Sequence, residues 1–176
     1  VRCTQVRKGK SDMTVEEKIC SVVEKMGNLN YVFDDLSGAT YKVDSSPLPA
    51  LVNVMPVSGT VRVTPTMISY NPNCLFWIVD KIGIGETGEG INAVVNRCMN
   101  WAYEFILTLN ESRLFQPVEN TDINIEVIAH EMNAHVAGVA LSLQLRERQG
   151  LYLCGKPIKE YFKNDCNEGR SEEDNQ

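Results

Sequence analysis

The side chains best suited to chemistry sit in one octapeptide, AHEMNAHV, residues 129–136, which holds both histidines of the chain. Zinc proteases use His-Glu-x-x-His on a helix, because imidazoles four residues apart, about 40° around the axis, share a face. His130 and His135 are five apart, about 140° around, and would diverge on a helix. On one extended strand an odd separation puts them on opposite faces. Only a turn over Met132-Asn133-Ala134 brings them together, across a hairpin, and no further histidine exists to supply a third ligand. The octapeptide therefore reads as the tip of a surface hairpin. His130, Glu131, Asn133 and His135 are expected to be contact residues between subunits, with no metal bound.

A second pattern, Gly83-Ile84-Gly85-Glu86-Thr87-Gly88, matches G-x-G-x-x-G between a strand-like and a helix-like segment. A dinucleotide loop places a pyrophosphate on the N–H groups of a helix N-terminus, and Glu86 and Glu89 would oppose that anion. No repeated βαβ pattern flanks the loop, and no parallel strand ending in an acid follows the helix. The loop reads as a connection whose glutamates favour the helix dipole. A small α+β enzyme or nucleotide-binding domain built on residues 83–88 stays as an alternative. Neither a G-x-S-x-G elbow nor a P-loop occurs. Ser58-Gly59-Thr60 has no marked histidine–acid pair, Asp34-Asp35 reads as turn chemistry, and Glu24, Asp44 and Asp80 are scattered. No catalytic residue, cofactor or enzymatic activity is expected.

Elements must position these loops. The chain has 176 residues, 43% hydrophobic and 23% charged, enough for one domain with a real core. No apolar run reaches the ~18–20 residues of a membrane helix. The net charge of −6 argues against broad attraction to nucleic acid. Of the six cysteines, no two share a C-x-x-C spacing. Cys20 and Cys98 fall on apolar helical stripes and read as small buried hydrophobes in a protein made in a reducing cytosol.

Residues 1–12 are basic, through Arg2, Arg7, Lys8 and Lys10, and lack an apolar period. They are either an extension upstream of a start at Met13 or an arm that docks on a neighbour. Residues 155–176, ending KNDCNEGRSEEDNQ, read as a polar acidic tail. The domain between them, 13–154, opens with a capping box, Thr14 to Glu17. A helical stripe of Val15, Ile19, Val22, Val23 and Met26 follows, and Gly27 stops it. YVFDDLSGATYKV reads as a hairpin turning near Asp35 to Gly38. In SSPLPALVNVMPVSGTVRVTP the prolines Pro47, Pro49, Pro56 and Pro65 suggest edges and strand ends, not a central parallel sheet. Residues 74–80 form the most apolar run and are expected to be the central strand. A second helix is expected from Ile91 to Leu109. Alternation over 123–129 and 137–145 closes the domain with two strands. The expected fold is α+β, two helices packed on a largely antiparallel β-sheet, in the order α-β(meander)-α-β-β.

That order resembles the tail-terminator and tail-completion (neck) proteins of tailed bacteriophages. The phrases NVMPVSGTVRV, NCLFWIVDKIGIGETGEGINAVVNRCMNWAYEFILTLNESRLFQPVEN and VAGVALSLQLRERQGLYLC are similar to small structural proteins of Bacteroidales-type phages and prophages. The likeness spans about residues 14–154 and rests on order and texture, with no catalytic motif. It implies a virion protein, made in the bacterial host cytoplasm, that forms a ring with itself, usually a hexamer. Such a ring caps the tail tube protein and meets the head-tail connector or neck protein. DNA passes through its lumen without specific binding, and an acidic lining suits that passage. Glu86 and Glu89 are the candidates to line it. A tail-tube, baseplate or injection-apparatus subunit is the second structural reading.

Overall fold

A computed structural model describes residues 13–56, 58–64, 67–129, 135–147 and 151–152. The basic leader, the octapeptide tip at 130–134 and the acidic tail lie outside the described residues. Helix α1, Val15–Met26, begins as its capping box requires. The Glu17 N–H donates to Thr14 Oγ1 at 3.1 Å, and the Thr14 N–H donates to the Glu17 carboxylate at 2.8 Å. Gly27 ends the helix at φ 74°, a left-handed conformation that glycine adopts without a Cβ penalty.

The segment that reads as a hairpin is instead strand and helix. Strand β1, Asn30–Asp34, leads straight into helix α2, Leu36–Ser45. The Asp35 carboxylate accepts the Gly38 N–H at 2.7 Å and so caps α2. Ala39 and Val43, four residues apart, are both buried, which is a helical stripe and not a strand alternation. Lys42 Nζ reaches back to Asp34 at 2.7 Å and, with the Asp35 N–H, holds that carboxyl below the usual carboxylate range. Three helices therefore pack on the sheet, where two were expected. Asp35→Ala is expected to lower stability by about 1 kcal/mol, read as a lower urea midpoint; an unmoved midpoint would deny the carboxylate any capping role.

The strands that follow are β2 Ala50–Val54, β3 Gly59–Val63, β4 Met67–Lys81, β5 Asn124–Ala129, β6 Val136–Gln144 and β7 Leu151–Tyr152. They form a sheet of order β1-β2-β4-β6-β5, with β3 and β7 paired to the start of β4. Every pairing is antiparallel except β1 with β2, which the α2 crossover makes parallel. The prolines mark strand ends and, at β3, an edge, as expected, but they mark no edge at β2. Pro49 and Pro56 flank β2, yet β2 is buried at all five positions and lies between β1 and β4. Prolines outside a strand remove none of its ladder donors. The central strand is longer than the apolar run at 74–80. Its first part pairs with β3 and its second with β2 and β6.

Helix α3, Gly88–Ser112, extends beyond the expected 91–109 at both ends. It lies with α1 on one face of the sheet, around Phe76, Ile78, Phe105, Leu109, Val139 and Leu141. Phe76 and Phe105 meet edge to face at 5.1 Å. A smaller cluster on the other face gathers Val32, Val52, Val79 and Ala140 with Ala39 and Val43 of α2. The pairing of β5 with β6 is the closing hairpin that alternation predicts.

Candidate functional site

The end of β4 brings the two suspected loops together. Lys81 is in register with Val136, and the Ile82 N–H donates to the His135 carbonyl at 2.9 Å. The glycine-rich loop thus starts beside the return strand of the octapeptide hairpin. His135 is exposed and borders a cavity of about 440 Å3 with Asp44, Ser46, Lys81 and Ile82. His130, Glu131 and Asn133 lie outside the described residues. Among the described residues no three His, Cys, Asp or Glu side chains converge as a metal site.

Two of the loop's glycines make room for Glu86. The Glu86 N–H donates to the Gly83 carbonyl at 3.2 Å, and the Gly83 N–H donates to the Glu86 carboxylate at 2.9 Å. A Cβ on Gly83 or Gly90 would run into that carboxylate. Gly85 turns the chain at φ 77°. Gly88 has open space where its Cβ would be. A dinucleotide loop needs its third glycine for close helix–strand packing, and Gly88 makes no such approach. The strands beside β4 in the sheet, β2 and β6, run antiparallel to it. Glu89 lies exposed in the first turn of α3, where a negative charge favours the dipole.

Other titratable groups are engaged in the framework. Arg97 Nη2 grips Asp80 at 2.6 Å and its guanidinium lies 5.7 Å over Trp101, joining β4 to α3. Lys18 of α1, almost fully buried, pairs with Glu147 just beyond β6. Under α1, Asn53 donates to the Tyr31 hydroxyl at 2.9 Å. Burial pushes the Tyr31 phenol far above its usual range and raises Glu16, which Tyr31 hydrogen-bonds. These residues lie away from the cavity that His135 borders.

The cysteines divide. Cys98 and Cys74 are free and buried, and burial pushes each thiol up to about 12. Cys20 is buried, as its place on a helical stripe predicts, but it is disulfide-bonded and not a free thiol. Non-reduced unfolded chain should show at least two fewer reactive thiols than the six after reduction. In the folded protein Cys74 and Cys98 should resist alkylation. An acid whose folded pKa is raised adds stability at low pH and loses it as pH climbs. The urea midpoint should therefore fall as pH rises from about 9 toward about 12, and less steeply in Cys98→Ala. Equal slopes would remove the buried thiol as a cause.

The prolines around β3 suggest an edge, and β3 pairs with β4 alone among the described residues, but its full exposure is not legible in the sequence. All five of its residues are exposed, Val61 at 61% and Val63 at 68%, beside Tyr70 of β4. A fully buried strand reads as one apolar run and a half-buried one alternates; Val61-Arg62-Val63 alternates, so exposure of both faces left no mark in the letters. Next to β3, Arg62 and Arg146 border a polar cavity of about 390 Å3 with Ser69, Asn71, Gln116 and Gln144. A third cavity, about 320 Å3, lies under the 116–123 segment. No helix of the described residues is long and apolar enough to cross a membrane. No family model, curated protein or solved structure matches the chain.

Proposed function

We propose that the chain is a structural virion subunit that acts by self-association, without catalysis: a tail-completion or tail-terminator subunit in a ring, a hexamer, at the neck of a tailed bacteriophage. The observation that carries self-association is β3, a strand with neither face covered among the described residues and with valines exposed on one of them. Such a strand gains stability from a partner and invites edge pairing without one. The phage assignment rests on the resemblance over residues 14–154. In this reading the ring caps the tail tube, meets the connector or neck protein, and lets DNA slide past an acidic lumen. Glu86 is tied into its own loop, so Glu89 is the acid there that faces the passage.

Light scattering and electron microscopy of the purified chain, alone and with tail tube protein, test this. Closed rings of one size support it. Open polymers favour a tail-tube or baseplate subunit instead. A chain that stays single in both conditions while NAD or ATP raises its melting temperature by several degrees would replace it with the nucleotide-binding reading.

A further inference from the structure

Each of β1, β3, β5 and β7 has an outer edge with no partner among the described residues, and two of these edges match. One is the outer edge of β3, which pairs only with β4; the other is the outer edge of β5, which pairs only with β6. Within one chain β4 and β6 stand between these edges, so they cannot meet each other.

Their side chains match. β3 reads Val61-Arg62-Val63 and β5 reads Ile125-Glu126-Val127. On each strand an exposed charge is flanked by two apolar residues that point to the opposite face. Val127 is 57% exposed, close to the exposure of the two β3 valines. Neither Arg62 nor Glu126 forms an ion pair among the described residues, whereas Asp34, Asp80 and Glu147 all do. The remaining path end, β1, is a poorer acceptor. Helices α1 and α2 both pack on it, and its acid Asp34 is already held by Lys42.

We infer that β3 of one copy adds to the outer edge of β5 of the next, with Arg62 opposite Glu126. The motif is symmetric about its charge, so this pairing holds whether the strands run parallel or antiparallel. In either direction the four apolar side chains meet on one face. Opposite charges meet on the other, where like charges would be unfavourable. Because donor and acceptor edges differ, the contact is heterologous and each copy offers one of each. Copies therefore add head to tail, into a ring where the rotation closes. This rests on the self-association proposed above and names the surfaces that carry it.

The test is charge reversal followed by mixing. R62E and E126R each change an exposed side chain, so each should keep the wild-type far-UV circular dichroism and urea midpoint. Each alone should need about tenfold or more protein to associate, since one like-charge contact replaces an attractive one at every interface. Mixed in equal amounts they should recover wild-type association. The reversed β3 of one variant then meets the reversed β5 of the other, and their unaltered strands meet each other. The double variant R62E/E126R should recover it as well. Wild-type rings that tolerate both single reversals would overturn this pairing and leave the ring intact as a proposal. A wild-type chain that stays monomeric at every concentration, with or without tail tube protein, would overturn both.

Discussion

Glu147→Gln is expected to lower stability by about 3–5 kcal/mol, the range for stranding one half of a buried ion pair. Lys18 is 5% exposed, and its ammonium is within contact of Glu147. Removing the carboxylate's charge leaves a buried cation whose desolvation is no longer offset. The pair also joins distant parts of the chain. Lys18 lies on α1, whereas Glu147 bridges to Phe115 just past α3, and the Gln116 N–H donates to the Arg146 carbonyl at 2.7 Å. Loss of the pair should therefore loosen α1 from the end of the sheet. Replacing both partners together, Lys18→Met with Glu147→Leu, should recover most of the loss, because no buried charge is then left alone. Urea unfolding followed by circular dichroism measures both. A single variant as stable as wild type would show that water reaches the ammonium.

Gly138→Ala is expected to destabilise at or above the ~3 kcal/mol upper end usual for overpacking. Gly138 lies in β6 opposite Val79 of β4, at the middle of the sheet. A Cβ there would penetrate the Ile78 carbonyl and crowd Val79 Cα, and backbone atoms cannot rotate aside. The two strands would have to part, at the seam both core clusters share through Ile78, Val79 and Val139. The measurement is a melting temperature by calorimetry. Wild-type behaviour would mean that the strands can shift without loss. Gly88→Ala is the control, since its Cβ meets nothing within 4 Å.

The candidate contact residues show how far letters reach. The octapeptide and the glycine loop were both visible as unusual patterns, and the structure adds that they start at one end of β4. Adjacency of that kind depends on strand register, which no local spacing encodes. The loop's glycines were legible as a pattern but not by cause. Only coordinates show that Gly83 and Gly90 leave room for a carboxylate that folds back on its own turn. The open edges of β3 and β5 were not legible at all, because exposure of a strand edge is a property of its neighbours.

Some local features were determined by sequence alone. The α1 caps, the apolar stripe of α3 and the alternation of β5 and β6 rest on contacts between residues close in the chain or on side-chain period, both of which are written in order. Tertiary structure decided the rest. It made α2 a helix, because Ala39 and Val43 find a sheet face to cover while Asp35 caps their first turn. It placed β2 inside the sheet and parallel to β1 despite the prolines that flank it. Among the described residues it left β3 and β5 with open edges. Each of these turns on which distant segments meet, and that choice is made by burial of the whole chain rather than by any window of it.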